Sequence, residues 1–177
     1  KMQFFKKDKT ALIQLGIDLL VINHLKPYPT WKSYKPLILD NLNKYNDLAK
    51  PKGLKRIGLR YINKIDISEI SANMADYFNY YPNLPKDLPQ VHESFNTQIG
   101  IPYEQNRDMM FLNFNSILTD KQDAISFLLD LDYSMRMPGK VNFNEIDDWL
   151  EKAHNVIENT FESCITNKLR TLFGEVE

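Results

Sequence analysis

The stretch Arg56-Ile57-Gly58-Leu59-Arg60-Tyr61-Ile62-Asn63-Lys64-Ile65 decides the fold. Side chains of a β-strand point alternately to opposite faces, so residues two apart share a side. Ile57, Leu59, Tyr61, Ile65 and Ile67 then make an apolar face, interrupted only by Asn63. Arg56, Gly58, Arg60, Ile62 and Lys64 lie on the other side. A strand of this kind belongs to an antiparallel sheet that buries one face and keeps a cationic face in water.

Upstream, Met2-Gln3-Phe4-Phe5 and Thr10–Asn23 flank the polar connector Lys6-Lys7-Asp8-Lys9 and read as a β-hairpin. In the second arm Ile13, Leu15, Ile17, Leu19 and Val21 face one way, against Gln14, Gly16 and Asp18. Pro27-Tyr28-Pro29 breaks this strand, and Thr30 is placed to cap a helix. Trp31, Tyr34, Leu37, Ile38, Leu42 and Tyr45 recur at the spacing of a helix lying on a sheet. Pro36 kinks that helix or marks its first turn.

Downstream, residues 68–81 have the phase of a shorter helix, with Ile70, Met74, Tyr77 and Phe78 on one side. Tyr81 to Pro89 is too rich in proline for helix or central strand and reads as an ordered connector. Segments around 91–100, 108–118 and 124–136 alternate as strands, with a turn at Lys121-Gln122-Asp123. In the last of them Ile125, Phe127, Leu129, Leu131, Tyr133 and Met135 oppose Ser126, Asp130, Asp132 and Ser134. Asn142 or Asn144 caps a long helix whose first turn carries Glu145, Asp147 and Asp148, favourable at a helix N-terminus. Ile146, Trp149, Leu150, Ala153, Val156, Ile157, Phe161 and Cys164 hold its apolar phase. Thr166 begins a final segment that Gly174 ends.

The order predicts an α+β fold: a mostly antiparallel sheet, one large or two small, covered on one face by helices, with a long C-terminal helix. The expected organisation is a single domain over 1–177, or two β/α halves, 1–81 and 91–177, joined by the Pro-rich connector. The 177 residues, 43% hydrophobic and 12% aromatic, suffice for a packed core. The single Cys164 excludes an internal disulfide and suits a reducing cytoplasm. No apolar run reaches the roughly 18 residues that would suggest a membrane span. The chain starts at Lys1, directly before an apparent strand, so further residues are expected upstream. Net charge is −1, but residues 1–70 hold 14 Lys/Arg against 6 Asp/Glu, and residues 71–177 hold 8 against 17. Either a basic surface meets an anionic partner, or the two halves neutralise each other.

Taken together, Leu12-Ile13-Gln14-Leu15-Gly16, Asn23, Pro27-Tyr28 with Trp31 and Tyr34, Arg56–Ile65, the Pro82 to Pro89 connector, Leu129-Asp130-Leu131-Asp132 and Phe161-Glu162 with Ile165-Thr166 resemble a sporadically distributed family of uncharacterised prokaryotic proteins. The resemblance runs over nearly the whole chain, and its specific part is Gly58-Leu59-Arg60-Tyr61-Ile62-Asn63. It implies an accessory role, in some members near defence or mobile-element loci, and a further N-terminal segment with a strand. It transfers no catalytic residue.

Two groups of residues are candidates for chemistry. Arg56, Arg60 and Lys64, with Lys50, Lys52 and Lys55 just upstream, have the strand spacing of a phosphate-binding face. Tyr61 points away from that face, so no aromatic is placed to stack on a base. Asp130 and Asp132 share one side of their strand. They either pair with Arg60 and Lys64, at about 0.2–1 kcal/mol per pair, or begin a Mg²⁺ site for a hydrolase. A second constellation, Glu151, His154 and Glu158, has the Glu-x-x-His spacing of carboxylate-bridged metal bundles but no matching pair elsewhere. It reads as the solvent face of an amphipathic helix. Trp31, Tyr28, Tyr34 and Trp149 line a pocket or join the core, and Cys164 falls on a buried stripe. No nucleophile elbow, phosphate loop or dinucleotide fingerprint occurs.

The expectation is therefore a non-enzymatic cytoplasmic binding or accessory protein, without a cofactor or metal, acting through a protein partner or as a homo-oligomer and away from membranes. The alternatives are a nucleic-acid or nucleotide binder using the basic strand face of Arg56, Arg60 and Lys64, and a metal-dependent hydrolase using Asp130 and Asp132.

Overall fold

The computed structural model describes residues 1–69, 72–90, 93–121 and 123–174. Strands β1 (Met2–Phe5), β2 (Ala11–Gly16) and β3 (Leu19–His24) form a meander of three. Helix α1 (Trp31–Ala49) follows. Strand β4 (Gly58–Ile67), the one-turn helix α2 (Met74–Tyr77), and strands β5 (Asn96–Tyr103), β6 (Asp108–Ile117) and β7 (Ile125–Met135) come next. Helices α3 (Ile146–Cys164) and α4 (Asn167–Leu172) close the chain. The second sheet has four antiparallel strands in the order β4-β7-β6-β5. The fold is α+β with two antiparallel sheets and a long C-terminal helix, as the alternating segments predict.

Register explains the core. Leu59 opposes Tyr133, Tyr61 opposes Leu131 and Ile65 opposes Phe127. Tyr133, Leu131 and Leu129 then oppose Met110, Leu112 and Phe114 on β6. Helix α3 lays Ile146, Trp149, Leu150, Ala153 and Ile157 on this face, and all of them are buried. Asn63, the polar break in the apolar face, is satisfied there by donating from its amide to the Leu129 carbonyl at 3.2 Å. The opposite face of the sheet carries Arg60, Ile62, Lys64 and Gln98 exposed to water.

Three expectations are corrected. Thr10–Asn23 is two strands, because the chain reverses at Ile17-Asp18 with Gly16 paired to Leu19. The reversal also changes parity: Ile13 and Leu15 share their face with Ile22 and Leu20, whereas Leu19 and Val21 lie on the other. Ile17, at the tip, is fully exposed. Residues 68–81 do not form a helix of that length. Its one turn is capped by Asn73, whose side chain accepts from the Ala75 N–H, and Ile70 lies outside the described residues. The chain then turns extended, and Phe78 bridges Ile165 while Asn79 N–H reaches the Cys164 carbonyl. Burying Phe78 between α3 and the sheet wins over helical continuation. Strand β5 begins at Asn96, later than the expected 91, and Val91 itself is outside the described residues.

The helix ends follow their capping chemistry. Asn142, rather than Asn144, forms a reciprocal capping box with Glu145 ahead of α3, across a 3-10 turn at Phe143–Glu145. The Thr166 hydroxyl accepts from Leu169 N–H at the start of α4. Pro36 sits inside the second turn of α1, whose first residue is Trp31. No helix among the described residues is long and apolar enough to cross a membrane.

Candidate functional site

The open face of β4 and β7 brings all five candidate residues together. Arg60 lies directly opposite Asp132, and Ile62 opposite Asp130. The arginine nevertheless reaches diagonally, donating from Nε to Asp130 Oδ1 at 2.8 Å and from Nη2 to Oδ2 at 2.6 Å. This two-pronged pairing raises the Arg60 pKa, chiefly through the hydrogen bonds to Asp130. Asp132 is taken by Arg56, whose Nη2 lies 3.0 and 2.9 Å from its two oxygens. Gly58 makes room for this: a Cβ there would come within 2.9 Å of the Arg56 guanidinium folded across it.

Lys64 does not pair with Asp130 or Asp132, as the spacing allowed. It takes Asp66, two residues along its own strand, at 3.3 Å. Asp66 also receives Lys121 at 2.6 Å and the Ser126 hydroxyl at 2.5 Å. Lys121, then Ser126, then Lys64 hold its carboxyl well below the usual carboxylate range. Each candidate cation of the strand thus has a carboxylate within bonding distance. Among the described residues no group of three or more His, Cys, Asp or Glu is arranged to hold a metal ion. The two aspartates meet arginines instead.

The Glu151/His154/Glu158 constellation is a solvent face only in part: Glu151 and Glu158 stay open to water, whereas His154 is largely covered. The constellation is where α3 meets α1. Lys35 lies 2.6 Å from Asp147 and 2.7 Å from Glu151, and the Trp31 indole N–H donates to Glu151 Oε2 at 3.1 Å. The His154 ring stacks on Trp31 with centroids 4.3 Å apart. Its Nδ1 is 3.0 Å from the Tyr61 hydroxyl and its Nε2 is 3.8 Å from Glu158. A carboxylate at Nε2 favours the proton there, which leaves Nδ1 to accept from Tyr61. Burial pushes the Tyr61 phenol up, and the nearby Tyr34, Glu158 and Glu151 add to the shift. Tyr34, on α1, is pushed up to about 12 by burial, and donates to the Ile22 carbonyl at 2.7 Å. The cluster ties α1 to β3, β4 and α3. Its phenols stay protonated at neutral pH and serve as hydrogen-bond donors. Of the other aromatics, Trp149 is buried in the core and Tyr28 is exposed.

Sequence reasoning missed Asp108. It is fully buried, and its Oδ2 takes the Arg107 guanidinium at 2.6 Å and the Tyr133 hydroxyl at 3.0 Å, while Trp149 Nε1 lies 3.4 Å from Oδ1. Asp108 opens the alternating segment 108–118, and the parity it shares with Met110 and Leu112 in β6 places it on the buried face.

A cleft of about 550 Å³ lies between β5 and α3. Tyr80, Ile99, Ile101, Tyr103 and Val156 line it, with Asn159, Thr160, Ser163 and Cys164 along the helix. None of its lining residues is charged. The Thr160 and Ser163 hydroxyls donate to the Val156 and Asn159 carbonyls at 2.6 and 2.7 Å. Burial pushes the Cys164 thiol up to about 11.

No protein-family model, curated protein or solved structure matches the chain.

Proposed function

We propose that this protein is a non-enzymatic cytosolic binding or accessory protein, of the kind that the resemblance places near defence or mobile-element loci. One observation carries the reading: the charged side chains with the best claim to chemistry are spent on one another. Arg60 grips Asp130, Arg56 grips Asp132, and Lys64 and Lys121 share Asp66. A phosphate arriving at this face competes with carboxylates already in place, and a divalent cation competes with guanidinium groups. The cleft beside α3 offers no substitute. The Thr160 and Ser163 hydroxyls there are committed to helix carbonyls, and the Cys164 thiol stays protonated at neutral pH. A self-neutralised sheet face suits contacts with another protein, where matched surface charge sets orientation and partner choice.

Native mass spectrometry of the protein purified gently from its own cells at low salt tests this. The expected result is the bare chain or a protein assembly. Extra mass from an oligonucleotide or nucleotide would overturn it in favour of a polyanion site, provided that binding weakens steeply with salt and with Arg60→Ala. Extra mass from a metal ion lost on Asp130→Asn would overturn it in favour of the hydrolase.

A further inference from the structure

We infer that two copies of this chain join through β5 into one continuous antiparallel sheet. The outer strands of the two sheets are β1, β3, β4 and β5, and an outer strand offers backbone groups for pairing. Three of these edges are defended. At β3 the outward carbonyl of Ile22 takes the Tyr34 hydroxyl of α1 at 2.7 Å, so a helix covers the edge. At β4 the bond from Met135 N–H to the Ile57 carbonyl sets the phase, and it turns the backbone of Arg60, Ile62 and Lys64 outward. Antiparallel self-pairing centred on Ile62 would then set Arg60 opposite Lys64 of the other copy, like charge against like. Strand β1 is bracketed by Lys1 and Lys6-Lys7, and self-pairing brings those lysine ends together.

Strand β5 carries no charged residue along its edge, and the missing outward N–H of Pro102 confines the open stretch to residues 96–100. From Asn96 through Tyr103 it reads Asn-Thr-Gln-Ile-Gly-Ile-Pro-Tyr, with no Lys, Arg, Asp or Glu. The Ser116 N–H donates to the Phe95 carbonyl at 3.2 Å, so Phe95 faces β6, and alternation turns Asn96, Gln98 and Gly100 outward. Pro102 falls in the same outward phase, where its missing N–H leaves the pairing with β6 intact. Asn96, Gln98, Gly100 and Pro102 are all exposed.

A two-fold axis through Gln98 makes these groups self-complementary. Gln98 pairs reciprocally with its own copy, and Asn96 pairs with Gly100 on either side. On the buried-face side Thr97 meets Ile99 of the second copy, and the two clefts beside α3 come to lie on the same side of the joined sheet. No like charges oppose each other anywhere along the seam. This dimer stands or falls independently of what the Arg60 face binds.

Multi-angle light scattering behind size exclusion, on the full chain over a concentration series, tests it. Wild type is expected to run as a dimer. Gln98→Lys sets two ammonium groups against each other across the axis and is expected to weaken the dimer about tenfold or more. Gln98→Glu should do the same, and an equimolar mixture of the two variants should recover the dimer, because the opposed charges are then unlike. Circular dichroism checks that both variants keep the fold, which an exposed position permits. A wild type that stays monomeric at every attainable concentration overturns the inference. So does a dimer that both variants leave unchanged.

Discussion

Replacing Asp108 by alanine removes the acceptor at the centre of a buried polar knot, and the cost depends on which groups are left without a partner. Arg107 is not stranded. Glu104 Oε2 lies 3.9 Å from its Nη2, and its side chain is 29% exposed. Tyr133 is stranded, because its residue is completely buried and its hydroxyl bonds to Asp108 alone among the described residues. A buried hydroxyl without a partner costs about 1–3 kcal/mol. The Trp149 bond, at 3.4 Å, adds little. Asp108→Ala is therefore expected to cost about 3 kcal/mol, the low end of the ~3–5 kcal/mol for breaking a buried ion pair, since Arg107 can turn to water. For a chain of this size that lowers Tm by about 6–12 °C. Asp108→Asn keeps one acceptor oxygen and is expected to cost about half as much. Tyr133→Phe alone should cost about 1 kcal/mol, yet be neutral or stabilising in the Asp108→Ala background, where the hydroxyl has lost its acceptor. Urea unfolding followed by tryptophan fluorescence measures all four corners of the cycle. If Asp108→Ala costs under about 0.5 kcal/mol, or Tyr133→Phe costs the same in both backgrounds, the carboxylate does not organise this part of the core.

Three further predictions rest on single contacts. Arg60→Ala leaves the nearly buried Asp130 carboxylate without its partner; thermal melts should show a loss of about 1 kcal/mol, discounted because the guanidinium is half in solvent, and an unchanged Tm would contradict the paired face. Asp66 has its pKa depressed in the folded state, so its contribution is present above the unfolded value of about 4 and is lost as pH falls below it; Asp66→Asn should flatten the acid limb of the stability curve, and a limb of identical slope would count against the Lys121 and Ser126 contacts. Cys164, buried with its thiol pushed up to about 11, should resist a thiol reagent at pH 8 in the native protein and react on unfolding; rapid native labelling would mean that α3 opens at that point.

Much of this architecture was legible because a period of two is hard to misread. In Arg56–Ile65 the apolar face is broken only by Asn63, and β4 buries the side that alternation assigns, whereas β7, flanked by β4 and β6, buries that side and also Ser126, Asp130 and Ser134 on the other. The hidden turn at Ile17-Asp18 escaped because reversal there keeps an apolar residue at nearly every second position. A run that looked continuous therefore hid a change of face. The short helix at 74–77 escaped for a different reason. Helical phase in 68–81 is local, whereas the competing bridge from Phe78 to Ile165 spans much of the chain. The same distance hid the meaning of His154. Its spacing from Glu151 shows that the two share a helix side, but Trp31, which covers that side, arrives from the other end of the sequence.

The open face shows how far spacing reaches and where register takes over. Alternation alone gathers Arg56, Arg60, Lys64, Asp130 and Asp132 onto one surface. It cannot say which cation meets which carboxylate, because that depends on the alignment of β4 against β7 and on side-chain length. With Arg60 opposite Asp132, the simple expectation is a direct cross-strand pair. Arg56, reaching in from beyond the strand across the bare Cα of Gly58, occupies Asp132 first, and Arg60 moves to the diagonal Asp130. Lys64 is left one carboxylate short and turns to Asp66. The glycine in Arg-Ile-Gly-Leu-Arg thereby acquires a physical role. It is the gap through which the first arginine reaches its partner, so Gly58→Ala should loosen the Arg56–Asp132 pair while leaving the Arg60–Asp130 pair in place.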